Sequence, residues 1–306
     1  MRALALAGPT ASGKSDFAPA LAAALNGEII SVDSGAVYRE MNIGTAKPPP
    51  AVRAQTPHHL IDVANPDENF NAGKFCRLAA AALTEITARG KLPIFAGGAM
   101  MYFHAFSRGL HDFPPPSMPL RAKLREELRR LGAPAMHRRL AQLDPAAAAK
   151  IAPSDSQRIA RALEIIGAAN APLSQLQSRP KTSPPDISFI LLMPADRAQL
   201  RRAIDSRLQN MFAEGLVKET ETAAKKYNLA PDSPPLRMAG YRQAAAFLRG
   251  ETDEEEMKKR AYYATCQLAK RQMTWLKKWQ PAPNFIDPFA LEAEKKIMKA
   301  AQNFCG

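Results

Sequence analysis

The chain has 306 residues, enough for one large domain or a core domain with a smaller companion. Its three cysteines, Cys76, Cys266 and Cys305, are odd in number, far apart and without a CxxC pair, which excludes a disulfide scaffold or zinc knuckle and suggests a reducing, cytoplasmic setting. The formal net charge of +13 calls for a polyanionic partner or an anionic substrate, nucleic acid first among them, and no apolar run is long enough to span a bilayer.

In chain order, Ala3 to Ala7 is a short apolar run that ends at Gly8, and the alanine- and leucine-rich stretch after Lys14 has helical spacing. The beginning therefore reads strand, glycine loop, helix. Glu28 to Val32 reads as a second strand that delivers Asp33 and Ser34 at its carboxyl end, where open α/β sheets keep their chemistry. A helix from Ala72 to Arg89 is closed by Gly90, and Leu92 to Ala96 is a third buried strand running into Gly97 and Gly98. Strand and helix alternate, which predicts an α/β fold with a parallel sheet flanked by helices.

The composition changes at Asp112. Phe113-Pro114-Pro115-Pro116 punctuates the chain and leads into a charged amphipathic helix from Leu120 to Leu131. Helical patterns continue over Ala135 to Leu143, Ala146 to Ile151 and Gln157 to Ala169, and the proline-rich stretch Arg179 to Pro185 reads as the exit. The expected division is a core made of residues 1–112 and 186–306, with a helical insertion at 113–185. Ile187 to Met193 returns the chain to the sheet as a core strand, followed by helices from Arg197 to Tyr227, a turn-rich stretch at Pro231 to Pro235, and helices ending near Trp279.

The octapeptide GPTASGKS spans Gly8, Pro9, Thr10, Ala11, Ser12, Gly13, Lys14 and Ser15. Its two glycines bracket a turn whose backbone N–H groups face inward on an anion. Lys14 adds a mobile positive charge, and Ser15 offers a hydroxyl to Mg²⁺. With a strand before it and a helix after it, this is a P-loop, specific for phosphate and silent about the reaction. Asp33, at the end of the next strand, suits a Mg²⁺ carboxylate or a general base, and a helix N-cap is the structural alternative. His58 and His59 lack a second Cys or His cluster and read as structural, the isolated His104, His111 and His137 read as structural or surface residues, and Met211 and Phe212 read as core.

VDSGAVYREMNIGTAKP, at its interval after GPTASGKS, resembles the signature of tRNA dimethylallyltransferases, also called tRNA isopentenyltransferases. HHLIDV, GGAMMYF, DSQRIARALEI, DSRLQNMFAEGLVKE, RMAGYRQ and ATCQLAKRQMTWLKKW follow in matching order, so the resemblance covers nearly the whole chain. It implies a P-loop NTPase-like core with a tRNA-facing helical insertion. The implied reaction moves a dimethylallyl group from dimethylallyl diphosphate to N6 of the adenosine 3′ of the anticodon, position 37, in tRNAs reading codons that begin with U. Mg²⁺ is the implied cofactor, and a monomer in the cytoplasm is expected.

By the same resemblance the P-loop residues and Arg207 hold the diphosphate, Ser15 reaches the metal, and Asp33 is the general base at N6. Contact with tRNA falls to Asp33, Ser34, Gly35 and Ala36, to position 99, to Arg121, and to Gln157, Arg158, Ile159, Ala160 and Arg161. It falls also to Arg237, Met238, Ala239, Gly240, Tyr241 and Arg242, and to Lys270, Arg271, Gln272, Met273, Thr274, Trp275, Leu276 and Lys277. Without the resemblance, the last run reads as a helix with a buried stripe and a basic, solvated face. Three positions depart from the family pattern: Ala99 stands where a threonine is usual, and Ala203 and Cys266 where arginine is common. A small-molecule P-loop kinase or NTPase, and a tRNA-binding protein with weakened chemistry, are the alternatives at this point. The first leaves the high charge and the KRQMTW run unexplained.

Overall fold

The computed structural model describes residues 2–111, 113–178, 185–280 and 285–305. The chain forms two compact units, one of Met1–Ser107 with Pro185–Gly306 and one of Arg108–Pro184. No helix among the described residues is long and apolar enough to cross a membrane.

The larger unit is built on a six-stranded sheet, all of whose pairings are parallel. Its strands are β1 (Arg2–Ala7), β2 (Gly27–Val32), β3 (His58–His59), β4 (Leu92–Gly97), β5 (Asp186–Leu192) and β6 (Phe285–Ile286), in the order β3-β2-β4-β1-β5-β6. Because β4 enters between β2 and β1, the connection leaving β1 runs to one side and the one leaving β4 runs to the other. The carboxyl ends of β1 and β4 thus flank a topological switch point, where ligands bind in open α/β sheets.

Side-chain alternation in β1 decides what each face accepts. Ala3, Ala5 and Ala7 lie in one core cluster with the aromatic rings of Phe75, Phe95, Phe103 and Phe106. Leu4 and Leu6 lie in another with Leu21, Ile297 and Ala301, from α1 (Lys14–Ala24) and the final helix, α13 (Ala293–Cys305). Methyl-sized residues on the first face make room for bulky rings, which stack there: Phe75 and Tyr102 have centroids 4.7 Å apart. Phe75 comes from α3 (Ala72–Ala88), Tyr102, Phe103 and Phe106 from α4 (Met100–Arg108), and Phe95 from β4 itself.

The remaining helices of this unit are α2 (Pro50–Gln55), α9 (Arg197–Ala213), α10 (Leu216–Lys226), α11 (Tyr241–Leu248) and α12 (Glu254–Lys277). In α12 the Asp253 carboxylate caps the Glu256 N–H, Glu254 to Glu256 fill the first turn and Lys277 closes the last, all with the sign the helix dipole favours.

The smaller unit is helical: α5 (Met118–Leu143), α6 (Pro145–Ala148), α7 (Ser156–Ala169) and α8 (Leu173–Gln177) enclose their own core around Leu124, Met136, Leu140, Ile159 and Leu163. The two helices expected over Leu120 to Leu131 and Ala135 to Leu143 are the two halves of α5, separated where Gly132 takes a left-handed φ of 76° and Pro134 follows. The helix expected over Ala146 to Ile151 is confined to Pro145–Ala148. Of the expected exit, residues 179–184 lie outside those described.

Candidate active site at the carboxyl edge of the sheet

The P-loop follows β1 directly. Gly13 caps α1 with φ 72°, a conformation open to glycine, and Ala11 adopts φ 60°, which costs an L-residue on the order of 1 kcal/mol. The loop is held by its own polar groups: the Ser12 hydroxyl donates to Pro9 O at 2.9 Å, and Lys14 Nζ donates to Pro9 O at 2.5 Å and to Ser12 Oγ at 3.3 Å. Gly8 is crowded, since a Cβ there would lie 2.8 Å from Ser12 Oγ and 2.9 Å from Leu192 Cβ.

Asp33 leaves the end of β2. No helix begins here, so the helix N-cap reading is corrected: Oδ1 accepts hydrogen bonds from Gly35 N–H at 2.7 Å and Ala36 N–H at 3.1 Å and closes a turn. These bonds fix the side chain and leave Oδ2 available. At the end of β4, Gly98 and Ala99 both donate their N–H groups to Val32 O, at 3.1 and 3.0 Å. This closes the ends of β2 and β4 together beneath the site.

A cavity of about 550 Å³ opens between these carboxyl ends. Thr10, Lys14, Ser15, Asp33, Ser34, Gly35, Ala36, Ala99, Arg207, Arg237, Met238, Ala239, Arg271, Gln272 and Trp275 line it, so the structure brings these sequence-derived candidates around one space. Other candidates do not line it. Gly8, Pro9, Ala11, Ser12 and Gly13 form the body of the loop, while Gly240, Arg242, Lys270, Met273, Thr274 and Lys277 lie beside the lining on the α11 and α12 segments.

Three candidates are buried core residues whose side chains offer no surface. Tyr241 is fully buried, with its hydroxyl donating to Glu219 at 2.6 Å; Leu276 packs in the main core; and Ile159 packs in the helical unit's core. Within that helical unit, Arg121 and Arg161 converge on Glu164, at 3.6 and 3.2 Å, and Arg158 pairs with Asp155 at 3.5 Å. Gln157 is exposed and Ala160 partly so.

Sequence reasoning overlooked two groups. Glu219, on α10, accepts the backbone N–H groups of Asn42, Ile43 and Gly44 as well as the Tyr241 hydroxyl, fixing the segment that presents Thr45 and Ala46 to the cavity. His58, Ile61, Met101 and Tyr102 also line the cavity and lie within the HHLIDV and GGAMMYF segments, but no local pattern marks them as lining. His58 donates Nδ1–H to Thr56 O at 2.7 Å, and His59 pairs with Glu28 at 2.7 Å, so each imidazole has a structural partner. Met211 is buried in the main core with Phe212 packed against it.

The electrostatics favour an anion. Enclosure by protein, reinforced by repulsion from Arg207, brings the Lys14 pKa down to about 7, with Asp33 pulling the other way. Burial also lowers the pKa of Arg207, against the attraction of Asp33. Two cations that line one cavity and repel each other favour a multiply charged guest that relieves the repulsion. Ala203 on α9 and Cys266 on α12, two of the departures named above, are both half-buried.

The family model for IPP transferase matches residues 36–279. The chain belongs to this family. Among its relatives is a tRNA dimethylallyltransferase of Thiobacillus denitrificans, 46% identical over 295 residues, which cover 96% of this chain and 94% of that one. Of the solved structures, a full-length tRNA isopentenylpyrophosphate transferase from Bacillus halodurans superposes with a TM-score of 0.71 at 31% identity, covering 99% of this chain and 98% of that one. A eukaryotic dimethylallyltransferase acting on tRNA superposes with a TM-score of 0.86 at 26% identity, covering 99% of this chain and 79% of that one. The IPP transferase cavity described above therefore belongs to a transferase with an α/β core.

Proposed function

We propose that this IPP transferase moves a dimethylallyl group from dimethylallyl diphosphate to N6 of adenosine 37, next to the anticodon, in tRNAs reading codons that begin with U. The observation that carries the reading is the meeting of Asp33 with the P-loop, Lys14 and Arg207 around one cavity in a chain of this family. Both ends of a transfer reaction fit there: cations for an anion, and a carboxylate near enough to act on them.

The adenine N6 lone pair is delocalised into the ring, so attack needs a base for one N6 proton. Asp33 Oδ2 is the acceptor, because Oδ1 is occupied by the Gly35 and Ala36 N–H groups. As the N6–C bond forms, the allylic C–O bond breaks and its electron pair leaves on the diphosphate. The charge gained there faces Lys14, Arg207 and the loop amides. The target base leaves the anticodon stack to reach Asp33, at a lower cost from a loop than from a duplex. At position 99 the cavity wall carries a methyl group, and Ser34 or a water takes up the polar role that a threonine would have.

Mg²⁺ is the metal that fits. Among the described residues no three His, Cys, Asp or Glu side chains gather as a metal cage, while Ser15 of the P-loop lines the cavity. A sparse donor set suits an ion held largely by phosphate oxygens and water. When bound, Mg²⁺ would neutralise charge on the departing diphosphate. A cytoplasmic monomer completes the proposal.

The test is mass spectrometry of an anticodon stem-loop incubated with dimethylallyl diphosphate, Mg²⁺ and either the native chain or Asp33→Asn. The substitution keeps an oxygen for the Gly35 and Ala36 N–H groups and removes the base. A prenyl mass gain that slows by about 10²- to 10⁴-fold in the variant is expected. Stem-loop binding by the native chain with no mass gain would overturn the proposed reaction.

A further inference from the structure

Gln272 lies among the basic residues of α12 that the family resemblance gives to tRNA, but its amide is turned inward. It is only 8% exposed. Its Oε1 accepts the Thr10 N–H of the P-loop at 2.8 Å, and its Nε2 donates to Gly98 O, after β4, also at 2.8 Å. One side chain thus bridges the loop after β1 and the loop after β4, the two segments that flank the switch point. Gly98 permits this approach: a Cβ there would lie 2.5 Å from Gln272 Nε2.

We propose that Gln272 is a positioning residue for the donor's diphosphate, acting through the P-loop backbone rather than as a contact for tRNA. The inference rests on the donor reading given above. The argument is geometric. The loop contains a left-handed Ala11 next to Thr10, a conformation that needs support from its surroundings. Apart from the Gly8 N–H bond to Gly97 O at 3.4 Å where the loop begins, its other polar ties, Ser12 and Lys14 on Pro9 O, are internal to it. The Gln272 bond is the tie that joins Thr10 to α12, and each end of the amide already holds a backbone partner, which fixes the group against the loop at the cavity's edge. Leu268, Arg271 and Trp275 from the same helix line the cavity, so α12 shapes both the open space and the loop beside it.

The experiment uses the full chain and inorganic diphosphate with Mg²⁺, without RNA, measured by calorimetry, and anticodon stem-loop binding is measured separately. Gln272→Leu keeps the bulk and removes both hydrogen bonds. Gln272→Glu keeps the acceptor and loses the donor to Gly98 O. Gly98→Ala leaves Gln272 intact and pushes its amide away. Gln272→Leu and Gly98→Ala are expected to weaken diphosphate binding about tenfold or more, with stem-loop affinity changed less than about threefold. Gln272→Glu is expected to fall between them and the native chain. In turnover, KM for dimethylallyl diphosphate should rise by more than kcat falls, a split that simple loss of folded protein would not produce. Unchanged diphosphate affinity in these variants, with stem-loop binding lost, would overturn the inference and return Gln272 to a tRNA contact. A lower melting temperature with both affinities intact would overturn it in favour of a purely structural bridge. Failure of the native chain to bind diphosphate would instead remove the donor reading on which the inference stands.

Discussion

Lys14 is enclosed by protein and repelled by Arg207, which holds its pKa near 7 in the free protein. A bound diphosphate reverses that balance, because its negative charge favours the ammonium form. Diphosphate binding at pH 8 is therefore expected to take up close to one proton through Lys14, and at pH 6 close to none. Calorimetry in two buffers of different ionisation heat measures this uptake. Comparison with Lys14→Arg, which stays charged throughout, removes the ligand's own titration. Equal uptake by the two proteins would show that Lys14 is already charged when empty. Much at this scale could be read in the sequence. GPTASGKS is the turn expected between β1 and α1, and Asp33 stands at the strand end where the sequence puts it. The inward turn of Gln272 was not legible, because its partner Thr10 is 262 residues away and no local spacing records such a bond. The burial of Tyr241 and Leu276 escaped notice for a related reason: a motif identifies a segment without saying which of its side chains face inward.

Among the elements, β2 joins two different tasks. Its carboxyl end presents Asp33, and near its amino end Glu28 is buried among His59, Arg89 and Lys91, with His59 at 2.7 Å, Arg89 at 2.7 Å and Lys91 at 3.2 Å. Burial alone would raise the Glu28 pKa, but the hydrogen bonds from these groups outweigh it and bring the carboxylate to about 2. A carboxylate depressed in this way stabilises the fold above its ordinary pKa and loses that contribution as the pH falls toward 2. Glu28→Gln is expected to cost on the order of 2 kcal/mol at pH 7, discounted for the exposure of Arg89 and Lys91, and progressively less below pH 4.5. Urea unfolding at several pH values reads the difference directly, and a cost that does not shrink in acid would contradict it. The four long strands were legible because they are apolar runs bounded by turn residues. Strands β3 and β6 were not, since two residues cannot show a period of two. The helix expected to reach Ile151 ends at Ala148, a boundary that alanine-rich sequence leaves undefined.

For the whole molecule, charge is unevenly shared. The helical unit has 13 Lys and Arg against 6 Asp and Glu, a net +7 of the chain's +13, in about a quarter of its length. Lys123, Arg125 and Arg130 are exposed there and make no ion pair among the described residues, whereas Arg129 and Arg139 are paired with Glu126 and Glu127. Unpaired cations release counterions when they meet phosphates; paired ones have less to give. Stem-loop affinity is therefore expected to fall about tenfold or more between 50 and 200 mM salt. Replacing Lys123, Arg125 and Arg130 together with glutamine should flatten the log–log slope by about two to three, whereas Arg129→Gln should change it less. Fluorescence anisotropy across a salt series reports the slope, and an unchanged slope in the triple variant would place the RNA elsewhere.

The inward amide of Gln272 has a further consequence for how this chain can vary. Position 272 is reached after five turns of α12, with Met257 and Ala261 already seated in buried sites on the way. One residue inserted between Met257 and Gln272 would rotate the rest of the helix by about 100°. Gln272 would swing off the P-loop, and Arg271 and Trp275 would leave the cavity in the same movement. Point changes on the outer surface of α12 disturb none of this. The helix is thus permissive in spelling and strict in length, and descendants of this chain should differ there by substitution, not by insertion or deletion.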